Sequence, residues 1–187
     1  MNTPPRMLPL LAQFDFALDR LLTRLDGMTD AEYLWEPVAG CWSIRPREQN
    51  QTNLAFGGGD WVLEGARPAP DPPPFTTIAW RICHLAIFMH ARADYTIGTK
   101  ALAWDQFTIP ETAAAGRATL TKAGTFWREA LTSADDDALD QVGRSSFPRG
   151  LDPTLPFLDI SWWVNQELLH RGGEIALLRD LFRATPR

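Results

Sequence analysis

Residues 163–182 read "WVNQELLHRGGEIALLRDLF". Leucines and isoleucines recur at helical spacing through the stretch, so it predicts a helix with one packed face. Glu167, His170 and Arg171 stand in consecutive turns of it. Glu167 and His170 are three apart, Glu167 and Arg171 four apart, and both spacings put side chains on one face. Glu-x-x-His on a bundle helix is one recognised arrangement of metal ligands. A carboxylate with imidazoles suits Zn²⁺, Ni²⁺ or Fe²⁺. A dinuclear site needs further acids from other helices, and the chain has no second Glu-x-x-His. The plainer alternative is an intrahelical Glu167–Arg171 ion pair, worth about 0.3–0.5 kcal/mol if exposed.

This helix extends over about 154–183, with Leu158, Trp162, Leu169, Ile175 and Leu178 among its apolar positions. Three more segments have helical period. The first, about 7–26, lines up Leu11, Phe14, Leu18, Leu21, Leu22 and Leu25. The second, about 75–98, spaces Ile78, Ile82, Leu85 and Met89 for burial, with Thr76 or Thr77 as cap and Gly98 as stop. The third, about 111–132, carries Leu120, Phe126, Trp127 and Leu131. Thr29 with Glu32, and Ser133 with Asp136, have capping-box spacing, so a short helical turn is predicted after the first and third segments. The two halves echo one another weakly, and four such stripes are most simply buried in an all-α four-helix bundle.

The connection 36–74 holds "GGGDW" and "ARPAPDPPP", where Pro and Gly prevent a long helix. Its length exceeds that of an ordinary loop, and Trp35, Trp42 and Trp61 predict that part of it packs back on the helices. The glycines 57–59 are no phosphate loop, because no Gly-Lys-Ser/Thr follows and no βαβ unit surrounds them.

At 187 residues the chain is most simply one domain, 1–187. Its net charge of −5 and thinly spread Lys and Arg argue against nucleic acid as partner. No run reaches the roughly 18 apolar residues of a membrane span. Asp15 and Asp19 come too early for a signal peptide, and two distant cysteines without a CxxC read as reduced thiols, so the expected location is cytoplasmic. Of the three histidines, His84 lies on the apolar face of the second segment, where a hydrogen-bonded core residue is the usual reading and a ligand the rarer one. His90, six residues on, turns to another face and reads as solvent or rim.

Taken together, "EYLWEPVAGCWSIRP", "TTIAWRICHL" and "NQELLHRGGEIALLRDL" resemble the DinB-like superfamily, most of all members related to mycothiol-dependent maleylpyruvate isomerase. The resemblance runs from the first helix to the last. It implies a four-helix bundle in up-down-down-up order, with a long connection between the first two long helices. It also implies a divalent-metal site of three residues, homodimerisation and, in several members, thiol-dependent transferase or isomerase activity. His84 matches the ligand of the second long helix, and Glu167 the first ligand of the last. The family's next ligand falls four residues later, at Arg171 here. His170 matches the neighbouring histidine, which is not ordinarily a ligand.

Arginine keeps its proton in proteins and has no lone pair to give a metal. Three outcomes stay open. Arg171 pairs with Glu167 in a metal-free site; His170 turns in and completes a shifted site; or Arg171 holds an anionic small molecule. The function expected is that of a DinB-like protein with a degenerate metal site and a small-molecule pocket. The alternative is a metal-dependent transferase or isomerase that uses a low-molecular-weight thiol.

Overall fold

The computed structural model describes residues 3–146 and 153–185. Four long helices form where the apolar stripes predict them: α1 (Leu8–Arg24), α3 (Ile78–Ile97), α4 (Ala113–Thr132) and α6 (Phe157–Ala184). Two single-turn helices follow the first and third of these, α2 (Asp30–Tyr33) and α5 (Asp136–Leu139). Side-chain oxygens cap several N-termini. Thr29 accepts from Glu32 N, Thr77 from Trp80 N and Thr112 from Ala115 N. The cap of α5 differs from the expectation: Asp135, not Ser133, accepts from Ala138 N. Ser133 belongs to the end of α4 instead, its hydroxyl donating back to Ala130 O at 2.7 Å.

Contacts between helices give their directions. Asn165 Nδ2 donates to Leu10 O (2.8 Å), and Arg24 pairs with Asp180, so α1 and α6 run side by side in the same sense. Asp15 pairs with Arg128 and Asp26 with Arg117, so α4 runs against α1. Arg81 pairs with Glu174 while Phe88 meets Trp163, so α3 runs against α6. Tyr33 sits between Cys83 of α3 and Gly116 of α4, and further on His90 meets Phe126, so α3 and α4 run together. Leu11, Phe14, Ile82, Leu85, Met89, Leu120, Trp127, Val164, Leu168 and Ile175 join in one buried cluster. Helix α3 is covered on nearly every side. Among the described residues, no helix is long and apolar enough to cross a membrane.

The all-α expectation needs a correction. The 36–74 connection contains a three-stranded antiparallel sheet, β1 (Ile44–Pro46), β2 (Leu54–Phe56) and β3 (Trp61–Gly65), in the order β1-β3-β2. Its centre is polar as well as apolar. Glu64, 1% exposed, accepts from Ser43 N (2.9 Å) and Gln51 N (3.2 Å) and pairs with Arg45 (3.0 Å). The sheet is tied to α3 by Trp80 Nε1, which donates to Glu64 O at 2.8 Å. The tryptophans do fold back: Trp42 lies 6.2 Å from Trp80, Trp35 meets Phe182, and Trp61 packs on the core.

Candidate functional site

Arg81, His84 and Phe88 share one face of α3 at spacings of three and four, and Glu167, Arg171 and Glu174 share one face of α6 at four and three. The Arg81–Glu174 ion pair and the Phe88–Trp163 contact (5.4 Å) fix the register of the two antiparallel helices. His84 is thereby brought to the level of the turn that carries Glu167 and Arg171. Its imidazole stacks flat on Trp80, with ring centroids 4.9 Å apart at 9°, and touches Phe88 on the other side. It has no hydrogen-bond partner among the described residues. Burial first, then the charges of Arg171 and Arg81, push its pKa down to about 4, so it is neutral near pH 7.

On α6, Arg171 sits between two carboxylates, 3.0 Å from Glu174 and 3.4 Å from Glu167. Glu174 is the hub of the cluster: it also takes Arg81, and His170 Nε2 stands 3.6 Å away. The side chain of His170 is 62% exposed, against 17% for Glu167. Arg81 Nε and Arg171 Nε are buried and make no hydrogen bond, the latter facing Glu167 Oε2 at 3.4 Å outside hydrogen-bond geometry. Burial, and secondarily the charge of Arg171, lower the Arg81 pKa to about 10. Arg81 also faces Cys41, whose thiol is pushed up by burial and donates to Val38 O at 3.0 Å. Both cysteines are free, and Cys83 is raised to about 12 by burial, so neither is a thiolate near neutral pH.

The donor set is a poor match to a three-ligand metal site. His84 and Glu167 supply two donors, but two guanidinium groups occupy the same ground, and their charge opposes a divalent cation. Among the described residues, no three His, Cys, Asp or Glu side chains converge into a group that could hold an ion. The arrangement suits an anion better: two buried arginine Nε–H groups make no hydrogen bond, beside an imidazole that can donate or accept. Sequence reasoning missed Arg81 and Glu174. The available signal was their spacing, Arg81 three before His84 and Glu174 three after Arg171. His90, read as solvent or rim, is half-buried between Phe107 and Phe126.

The chain is mostly helical, with His84 on a central helix. The sequence model of the DinB superfamily matches residues 13–175, and the chain belongs to that superfamily. No curated protein and no solved structure gives a match.

Proposed function

We propose that this protein is a DinB-superfamily member in which an arginine–carboxylate network stands at the family's metal position, and that the site holds a small carboxylate between α3 and α6. The observation that carries the reading is the pair of buried Nε groups of Arg81 and Arg171, neither of which makes a hydrogen bond, beside the neutral imidazole of His84. A carboxylate entering there takes two charge-assisted hydrogen bonds, each about twice as strong as a neutral one. Glu167 and Glu174 balance the arginines while the site is empty of anion. His170 lies outside this set, on the exposed flank of α6. The helix directions support the up-down-down-up bundle as the frame of the site, in one domain. Exposed Phe16 of α1 and Trp162, Leu169 and Leu177 of α6 support homodimerisation through that flank.

Metal analysis of protein purified without a histidine tag, paired with thermal shifts against a panel of small carboxylates, tests this. The reading expects no stoichiometric metal, and a carboxylate-dependent rise in melting temperature that disappears in Arg171→Gln. Shifts unchanged in Arg171→Gln would remove Arg171 from the site.

The retention of His84 and Glu167 at ligand positions favours one second reading, a metal-dependent transferase or isomerase acting with a low-molecular-weight thiol. It requires both arginines to turn away. Stoichiometric Zn²⁺, Ni²⁺ or Fe²⁺ that is lost in both His84→Ala and Glu167→Ala would establish it over the first.

A further inference from the structure

The glycines 57–59 have a structural task that shapes a cavity away from α6. Gly57 N donates to Trp104 O (3.1 Å) and Gly58 N to Phe107 O (3.0 Å), so the end of β2 lies flat against the segment 104–108. A Cβ on Gly58 would stand 2.0 Å from Asp105 O, and one on Gly57 2.6 Å from Ile109 Cγ1. Gly57 also has φ +99°, so this seam requires glycine.

Between the seam and α3 lies a cavity of about 550 Å³, within the range of roughly 300–1,000 Å³ typical of small-molecule sites. None of His84, Glu167, His170 and Arg171 lines it. Leu54, Phe56, Ile87, Ala91, Trp104 and Phe107 give it apolar walls. Phe56 and Trp104 meet at 5.5 Å and 56°, a tilted aromatic pair that presents ring faces and edges to an occupant. Among the described residues, Arg47 is the one cation of the lining. Its Nε donates to Gly59 O (2.9 Å) and its Nη2 to Gly57 O (2.8 Å), so the glycine run that builds the wall also holds the guanidinium in place. Its Nη1 has no acceptor among the described residues. Asp105 lines the cavity too, and its charge disfavours a dianion such as a phosphate monoester.

We propose that this cavity binds an aromatic monocarboxylate, the ring against Phe56, Trp104 and Ala91 and the carboxylate on Arg47. The site is separate from the one between α3 and α6 and stands or falls independently of it.

Calorimetric titration of the whole chain with 2-naphthoate and with its neutral counterpart 2-naphthalenemethanol tests the proposal. The expected result is binding of the acid about tenfold tighter than the alcohol, as one charge-assisted hydrogen bond predicts. Arg47→Gln should bring the acid to the level of the alcohol. Ala103→Trp, a substitution at an exposed position of the lining, should abolish binding of both while the melting temperature holds. Arg171→Gln should change neither titration. Equal affinity for acid and alcohol, or no binding of either to the wild-type chain, would overturn the proposal. So would binding indifferent to Ala103→Trp, or binding lost in Arg171→Gln, which would place the probe between α3 and α6.

Discussion

Arg171 concentrates the question this chain poses, because the family resemblance implies a metal ligand there and arginine cannot ligate. Its type and position are legible in the sequence. Its surroundings are legible only in part, since Glu167 follows from i,i+4 spacing whereas Arg81, a like charge drawn in by Glu174, arrives from another helix. That second cation sharpens a prediction. Arg171→His restores a His84–Glu167–His set, yet Arg81 still opposes a divalent ion. Metal content measured after zinc loading should therefore rise modestly in Arg171→His and further in the Arg81→Gln/Arg171→His double variant. No gain in either variant would mean that position 171 is wrongly matched to the family's ligand. His84 gives a prediction in pH. Its pKa falls from 6.5 in the unfolded chain to about 4 in the folded one. The unfolded chain therefore takes up the proton first as pH drops, and folding stability declines between about pH 6.5 and 4. Urea unfolding at stepped pH should show a loss of a few kcal/mol, at about 1.4 kcal/mol per pH unit, that is absent from His84→Gln.

Among the elements, the long helices were readable because each stripe repeats over roughly five to eight turns. The sheet was hidden because its strands are three to five residues long and sit in a Pro- and Gly-rich stretch, where alternation has no length to register. The buried residues of β3 include Glu64, which no apolar pattern reports. Its carboxylate organises β1, the turn at Gln51 and Arg45 at once, so Glu64→Ala should cost about 3–5 kcal/mol, the penalty of breaking a buried pair, in chemical denaturation. The caps show how a local rule goes astray. Ser133 and Asp136 have the right spacing, but Ser133 is still inside the reach of α4 and its hydroxyl goes backwards. Asp135→Ala should cost about 1 kcal/mol, and Ser133→Ala clearly less. Equal losses would return the cap to Ser133.

At the scale of the molecule, the last turns of α6 meet the C-terminal end of α1 through a buried arginine as well as through the Arg24–Asp180 pair. Arg179, 1% exposed, binds Glu32 through Nε (2.6 Å) and Nη2 (3.1 Å) and donates to Arg24 O and Asp26 O. It thereby satisfies carbonyls at the end of α1 and a carboxylate on α2 together. The opposite flank of α6 leaves Trp162, Leu169 and Leu177 exposed. If they meet a second copy, Leu177→Glu should shift the light-scattering mass from dimer to monomer with little change in melting temperature. A wild-type chain that is already monomeric at high concentration would remove the dimer reading. The sequence by itself determined the four long helices, their stripes, the caps of α3 and the face on which Glu167 and Arg171 stand. Each of those depends on neighbours within a turn or two along the chain. Only the tertiary structure decided that the long connection holds a sheet, that Arg81 and Glu174 join the cluster beside His84, and that Gly57 and Gly58 wall a cavity. Those features arise where segments distant in sequence meet, and the periodicity of a single helix has no knowledge of what packs across from it.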